Sequence, residues 1–164
     1  MYRGTDYASV SRPGTAKTAH EHMFWADPSK ESLITLNFPL SGSAKAEDAI
    51  IDYIAGLNMG VFVYDYEHNA PTVEHLQVTH EKMFLTIRER HPDLPVIFMS
   101  RPSDIDRKRR EIIETTYNNA VARGDKKVYI VKPAELNMKD GTVDGCHPND
   151  LGFYYMARGL APVL

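Results

Sequence analysis

Asp144 stands three residues ahead of His147 in Asp144-Gly-Cys-His147-Pro-Asn-Asp-Leu-Gly, at the start of what reads as the last helix. A histidine working as a general base near neutral pH needs a fixed tautomer and an oriented ring. A carboxylate that accepts a hydrogen bond from the far ring nitrogen supplies both. Two further polar positions follow β-rich runs: Gly42, in Ser41-Gly42-Ser43, and Asn69, in Tyr-Glu-His-Asn-Ala-Pro. A glycine just after a strand can turn its backbone N–H toward a ligand with no side chain in the way. An asparagine carboxamide can donate to an oxygen that gains negative charge, usually the most valuable service in acyl transfer. Each residue also has a plain structural reading. Gly42 could serve only a tight turn, and Asn69 before Ala-Pro is a good turn former. His147 could bond a neighbouring backbone group, and Asp144 could be a capping carboxylate. What favours chemistry is the set: a base, its orienting acid and two oxyanion donors.

The elements that must position these residues follow from periodicity. Short β-rich runs cover Leu33–Phe38, Val61–Tyr66, Val96–Ser100 and Val128–Val131. Between them, Ala46, Ala49, Ile50, Tyr53, Ile54 and Leu57 recur at helical spacing, as do Leu76, His80, Met83, Phe84 and Ile87. Ile105, Ile112, Ile113, Thr116, Tyr117 and Ala120 mark a third helix, with Ser103 or Asp104 as its N-cap and Gly124 past its end. A fourth runs roughly from Asn149 to Leu160. Strands alternating with helices imply a parallel sheet covered on both faces, an α/β/α sandwich forming one domain over residues 1–164. Ligands of such sheets bind outside the carboxyl ends of the strands. Ser41-Gly42, Glu67-His68-Asn69, Ser100-Arg101 and Lys132-Pro133 are therefore the segments to watch.

Composition excludes several classes. A formal charge of −3 gives no electrostatic reason to expect nucleic acid or an anionic membrane as partner. The dense basic run Arg107-Lys108-Arg109-Arg110 lies in a helical pattern with Glu111 and Glu114, and reads as a solvated helix face. The single Cys146 excludes an internal disulfide and any cysteine-based zinc site. His20 and His22 could hold a metal, but no third ligand stands at a recognisable spacing. His75, His80 and His91 sit on or beside one helix and read as surface or packing residues. No apolar run reaches the ~18 residues of a membrane span. The first residues lack the apolar stretch of a signal peptide, so the expected location is cytoplasmic, although a removed secretion leader would leave the same sequence.

The motifs resemble those of the SGNH hydrolases, the GDSL-type esterases and lipases, in the branch where Ser-Arg-Pro-Gly follows the nucleophile. The matching pieces are Ser11-Arg12-Pro13-Gly14, Asn37-Phe-Pro-Leu-Ser-Gly42, Val63-Tyr-Asp-Tyr-Glu-His-Asn69-Ala-Pro, His91-Pro-Asp-Leu-Pro-Val-Ile and Thr142-Val-Asp144-Gly-Cys-His147-Pro-Asn-Asp-Leu-Gly152. The resemblance implies a flavodoxin-like sheet, Gly42 and Asn69 as the oxyanion hole, His147 as base and Asp144 as its partner. It implies a small-molecule ester substrate with a short, acetyl-like acyl group, often on carbohydrate, and no metal or organic cofactor. The family serine lies in a Gly-x-Ser element closing the first, central strand. Here a gap-free count reaches Arg3, while a three-residue deletion aligns Gly4-Thr5-Asp6 and puts aspartate at the serine position. Ser9 and Ser11 are the neighbouring hydroxyls. The first strand is thus expected to be missing or irregular, and an apolar edge left by its absence would favour self-association into a homo-oligomer.

Two other readings stand beside the esterase. One is an inactive relative that binds a ligand or partner through the same rim. The other is a phospho-acceptor domain using Asp65, Ser100 and Lys132, but it lacks the acidic pair that would hold Mg²⁺ after the first strand.

Overall fold

The run Val96–Met99 near the centre of the sheet is apolar and buried throughout because both of its faces are covered. The computed structural model describes residues 2–3, 38–39, 44–100, 107–132, 140–143 and 148–163. Within them run β1 (Tyr2–Arg3), β2 (Phe38–Pro39), α1 (Asp48–Ala55), β3 (Phe62–Asp65), a 3₁₀ turn (Glu67–Asn69), α2 (Val73–Arg90), β4 (Val96–Met99), α3 (Arg107–Ala122), β5 (Val128–Val131) and α4 (Asp150–Leu160). All strand pairs are parallel, in the order β2-β1-β3-β4-β5. The central position expected to be missing or irregular is therefore filled by the two residues of β1. A strand this short has no period to read, and its pairing comes from neighbours on both sides. The exposed edge that favoured self-association is accordingly absent at this position.

Alternation sorts the strand side chains onto two faces. Phe62, Tyr64, Val96, Phe98 and Val128 pack with Ile51, Ile54, Leu76, Met83, Phe84, Ile87, Ile113 and Ala120 from α1, α2 and α3. Val63, Ile97, Met99 and Val131 point the other way, onto Phe153, Met156 and Leu160 of α4. Right-handed crossovers explain the sorting. The connections β2→β3, β3→β4 and β4→β5 all step in one direction across the sheet and lay their helices on one face. The chain after β5 returns on the opposite face.

The helix ends are held by specific groups. Thr72 caps α2 by accepting from His75 N–H at 3.1 Å, and Asn149 caps α4 by accepting from Gly152 N–H at 3.0 Å. Gly124 follows α3 at φ 85°, where a side chain would be strained, as its place in the sequence implied. The Ser103 or Asp104 cap lies outside the described residues. His75 Nε2 meets Lys45 O at 2.7 Å and His91 Nε2 meets Ala55 O at 2.8 Å, so α2 is hooked to both flanks of α1. At the amino ends of the strands, Arg88 donates to the carbonyls of His91, Pro92, Leu94 and Lys127 and pairs with Asp125 at 2.8 Å. No helix among the described residues is long and apolar enough to cross a membrane.

Candidate active site

The register of the sheet brings three chain segments to one level at its carboxyl rim. Arg3 of β1 is paired with Pro39 on one side and with Asp65 on the other. Gly4-Thr5-Asp6 follows Arg3, Gly42 follows Pro39 by three residues, and Asn69 follows Asp65 by four. Gly42, like Asp144, His147, Ser9 and Ser11, lies outside the described residues. Asn69 is the expected site residue that the structure describes.

Asn69 ends the 3₁₀ turn, and its N–H donates to Tyr66 O at 3.0 Å. Its Oδ1 is buried with no hydrogen-bond partner among the described residues. Buried polar side-chain atoms are rarely left so, and a catalytic role is one of the reasons they are. Rotating the carboxamide by half a turn presents Nδ2–H₂ at the same place, which is the donor an oxyanion requires.

The turn is anchored from two other elements. Ser100 Oγ, just past β4, donates to the buried Glu67 carboxylate at 3.3 and 3.4 Å. Arg109 Nη1, from α3, donates to Glu67 O and, at 3.0 Å, to Ala70 O, the carbonyls that bracket His68 and Asn69. This corrects the reading of the basic run as a solvated face. Arg107 and Lys108 are exposed, and Arg107 pairs with Glu111 at 2.9 Å, but Arg109 is half-buried and reaches back to the site. Sequence did carry the signal: Arg109 lies four residues after Ile105 and four before Ile113, on the apolar stripe of its helix. A guanidinium there needs acceptors, and the turn provides them.

The segment holding Asp144 and His147 is bracketed by described residues. Thr142 and Pro148 form an antiparallel bridge, Asn149 N–H donates to Gly141 O at 2.9 Å, and Asn149 Nδ2 donates to Asp140 O at 3.0 Å. Both ends are thus drawn together immediately before α4. Asp65 and Ser100 are buried at this rim and Lys132, past β5, is exposed.

Among the described histidines, His80 is a core residue. His80 Nδ1 lies 2.8 Å from Thr116 Oγ1, whose hydroxyl donates to Ile112 O at 3.2 Å, so the ring is the donor of that pair. It stacks on Tyr64 at 4.5 Å, and burial lowers its pKa from 6.5 to about 3. Nearby, burial raises the Tyr66 phenol to about 12, with its hydroxyl on Thr79. His80 is neutral across the physiological range and far too poor a base for hydrolysis.

The sequence profile of the GDSL-like lipase/acylhydrolase family matches residues 4–164. This chain belongs to that family. Among solved structures, a Bacteroides ovatus protein assigned to the GDSL-like lipases matches with a TM-score of 0.70 and 25% identity, over 99% of this chain and 52% of that one. The salicylyl-acyltransferase SsfX3 of a tetracycline biosynthetic pathway matches with a TM-score of 0.65 at 14% identity, over 79% of this chain and 44% of that one. The chain spans about half the length of these structures. No curated protein sequence matches it. Membership of a lipase/acylhydrolase family supports ester-hydrolase chemistry and speaks against the phospho-acceptor reading of Asp65, Ser100 and Lys132.

Proposed function

We propose that the chain is a serine-type acylhydrolase for short, acetyl-like esters of small molecules, carbohydrates among them. The observation that carries this reading is the carboxamide oxygen of Asn69, buried without a partner among the described residues, on an anchored turn past β3, at the same rim of the sheet as β2, which leads toward Gly42 with β1 between them. In the proposed reaction a hydroxyl attacks the ester carbonyl carbon while His147 takes its proton and Asp144 stabilises the imidazolium. The carbonyl oxygen becomes an oxyanion held by Gly42 N–H and the Asn69 carboxamide. Collapse breaks the bond to the alcohol, which leaves with the proton from His147. Water then repeats the sequence on the acyl-enzyme, and an alcohol in place of water would make the same site an acyltransferase. Ser9 and Ser11 are the hydroxyl candidates. Replacing His147 by Ala is expected to reduce p-nitrophenyl acetate turnover by at least about a thousandfold, because loss of the base removes proton transfer at both steps. Turnover equal to that of the parent protein would sink the assignment.

One observation favours a second reading, an inactive relative that binds a ligand through the same rim. β1 ends at Arg3, so Gly4-Thr5-Asp6 follows the central strand directly, with a carboxylate where the family has its serine. A fluorophosphonate probe separates the two. Modification of a single serine supports the hydrolase, and an unmodified mass supports the binding protein.

A further inference from the structure

We infer that Arg109 is a positioning residue for the oxyanion donor Asn69, an inference that rests on the hydrolase reading above. One terminal nitrogen of its guanidinium spans the two carbonyls on either side of His68-Asn69, Glu67 O and Ala70 O. These carbonyls lie 42 and 39 residues away along the chain, so the contact is tertiary and not part of helix α3's own surface pairing.

The turn is three residues long, its N-cap Tyr66 makes no side-chain cap bond, and Asn69 N–H ties back to Tyr66 O within it. A short 3₁₀ turn has strained hydrogen-bond geometry and little cooperativity of its own. Ser100 fixes the Glu67 carboxylate through contacts of 3.3 and 3.4 Å, which are long for hydrogen bonds to a carboxylate. Arg109 supplies charge-assisted bonds to the backbone itself, which fix where the Asn69 Cα sits and where its carboxamide points. Oxyanion stabilisation depends on donors already in place when charge develops, and a misplacement of about 1 Å costs on the order of a hundredfold in rate. Arg109 touches neither substrate nor reacting atoms. It acts through Asn69.

The test compares Arg109→Met and Arg109→Lys, each alone and combined with Asn69→Ala, in p-nitrophenyl acetate hydrolysis, with amide hydrogen exchange of residues 67–70 measured alongside. Met keeps the apolar stem and removes the donors. Lys keeps a cation with donors but is one atom shorter. The expected result is a fall in kcat of about tenfold to a hundredfold for Met and less for Lys, with KM within about twofold. Exchange at residues 67–70 should quicken, and the Arg109 variants should cost little more once Asn69 is already Ala. A full additional loss in the Asn69→Ala background, or unchanged kcat and exchange in both variants, overturns the clamp. If Arg109→Met does not fold, the Lys variant carries the same comparison. Full activity of Asn69→Ala itself would instead bring down the hydrolase reading, and the clamp with it.

Discussion

The two faces of the sheet are built from different materials. On the side of α1, α2 and α3 the packing is aromatic: Phe98 meets Phe84 at 5.3 Å, His80 at 5.6 Å and Tyr64 at 5.9 Å. On the side of α4 it is mainly aliphatic, with Val63, Ile97, Met99 and Val131 against Met156 and Leu160, together with Phe153. The aromatic face also carries polar pins, His75 to Lys45, His91 to Ala55 and His80 to Thr116, that tie helices to one another. Among the described residues the α4 face is covered by one helix, whose N-terminus follows closely on the segment bearing Asp144 and His147. The difference points to a division of labour: the first face fixes the sheet, and the second carries the helix that follows the segment proposed above to be catalytic.

The largest expected effect tests the stiffer face. Phe98→Ala should cost about 4 kcal/mol, since it removes a fully buried ring and its ring contacts, while Met156→Ala on the α4 face should cost about 2 kcal/mol. Urea unfolding of both variants checks this, and equal losses would erase the contrast. Next comes the buried imidazole. Its pKa is about 3 in the folded chain against 6.5 unfolded, so the unfolded state binds a proton that the native state refuses as pH falls below 6.5. Stability from this group is intact above pH 6.5 and is lost between there and pH 3, by on the order of 1 kcal/mol per pH unit. His80→Leu should flatten the Tm profile over pH 4–6.5, and an unchanged slope would assign the acid sensitivity elsewhere. The smallest effect probes the joint before α4. Asn149→Ala should cost about 1 kcal/mol through loss of the cap. Asn149→Asp keeps the cap acceptor but loses the donor to Asp140 O, so it should spare stability and still loosen residues 140–148, visible as faster amide exchange.

The fold was legible wherever burial imposes a period. Val128–Val131 was read at its observed limits, and Val61–Tyr66 and Val96–Ser100 each overran by a residue or two. Two residues such as Tyr2–Arg3 carry no periodic information, so β1 could come only from the sheet around it. At the rim, Asn69 lies just past β3, where the strand-end reading placed it, while Gly42, Asp144 and His147 lie outside the described residues. Arg109 escaped because a run of four basic residues looks alike in a string, while a helix turns them by 100° each and leaves two of the four, Arg109 and Arg110, half-buried. Its partners lie some forty positions upstream, and no local pattern announces them.

Arg88 shows what the opposite end of the molecule contributes. By gathering the approaches to β4 and β5 onto one side chain, it staples the floor of the sandwich independently of anything at the roof. A scaffold whose lower loops are cross-linked this way can exchange its upper loops for others without losing strand alignment. Substrate range in this architecture is therefore free to diverge quickly, and such drift would leave Arg88 and its ring of carbonyls untouched.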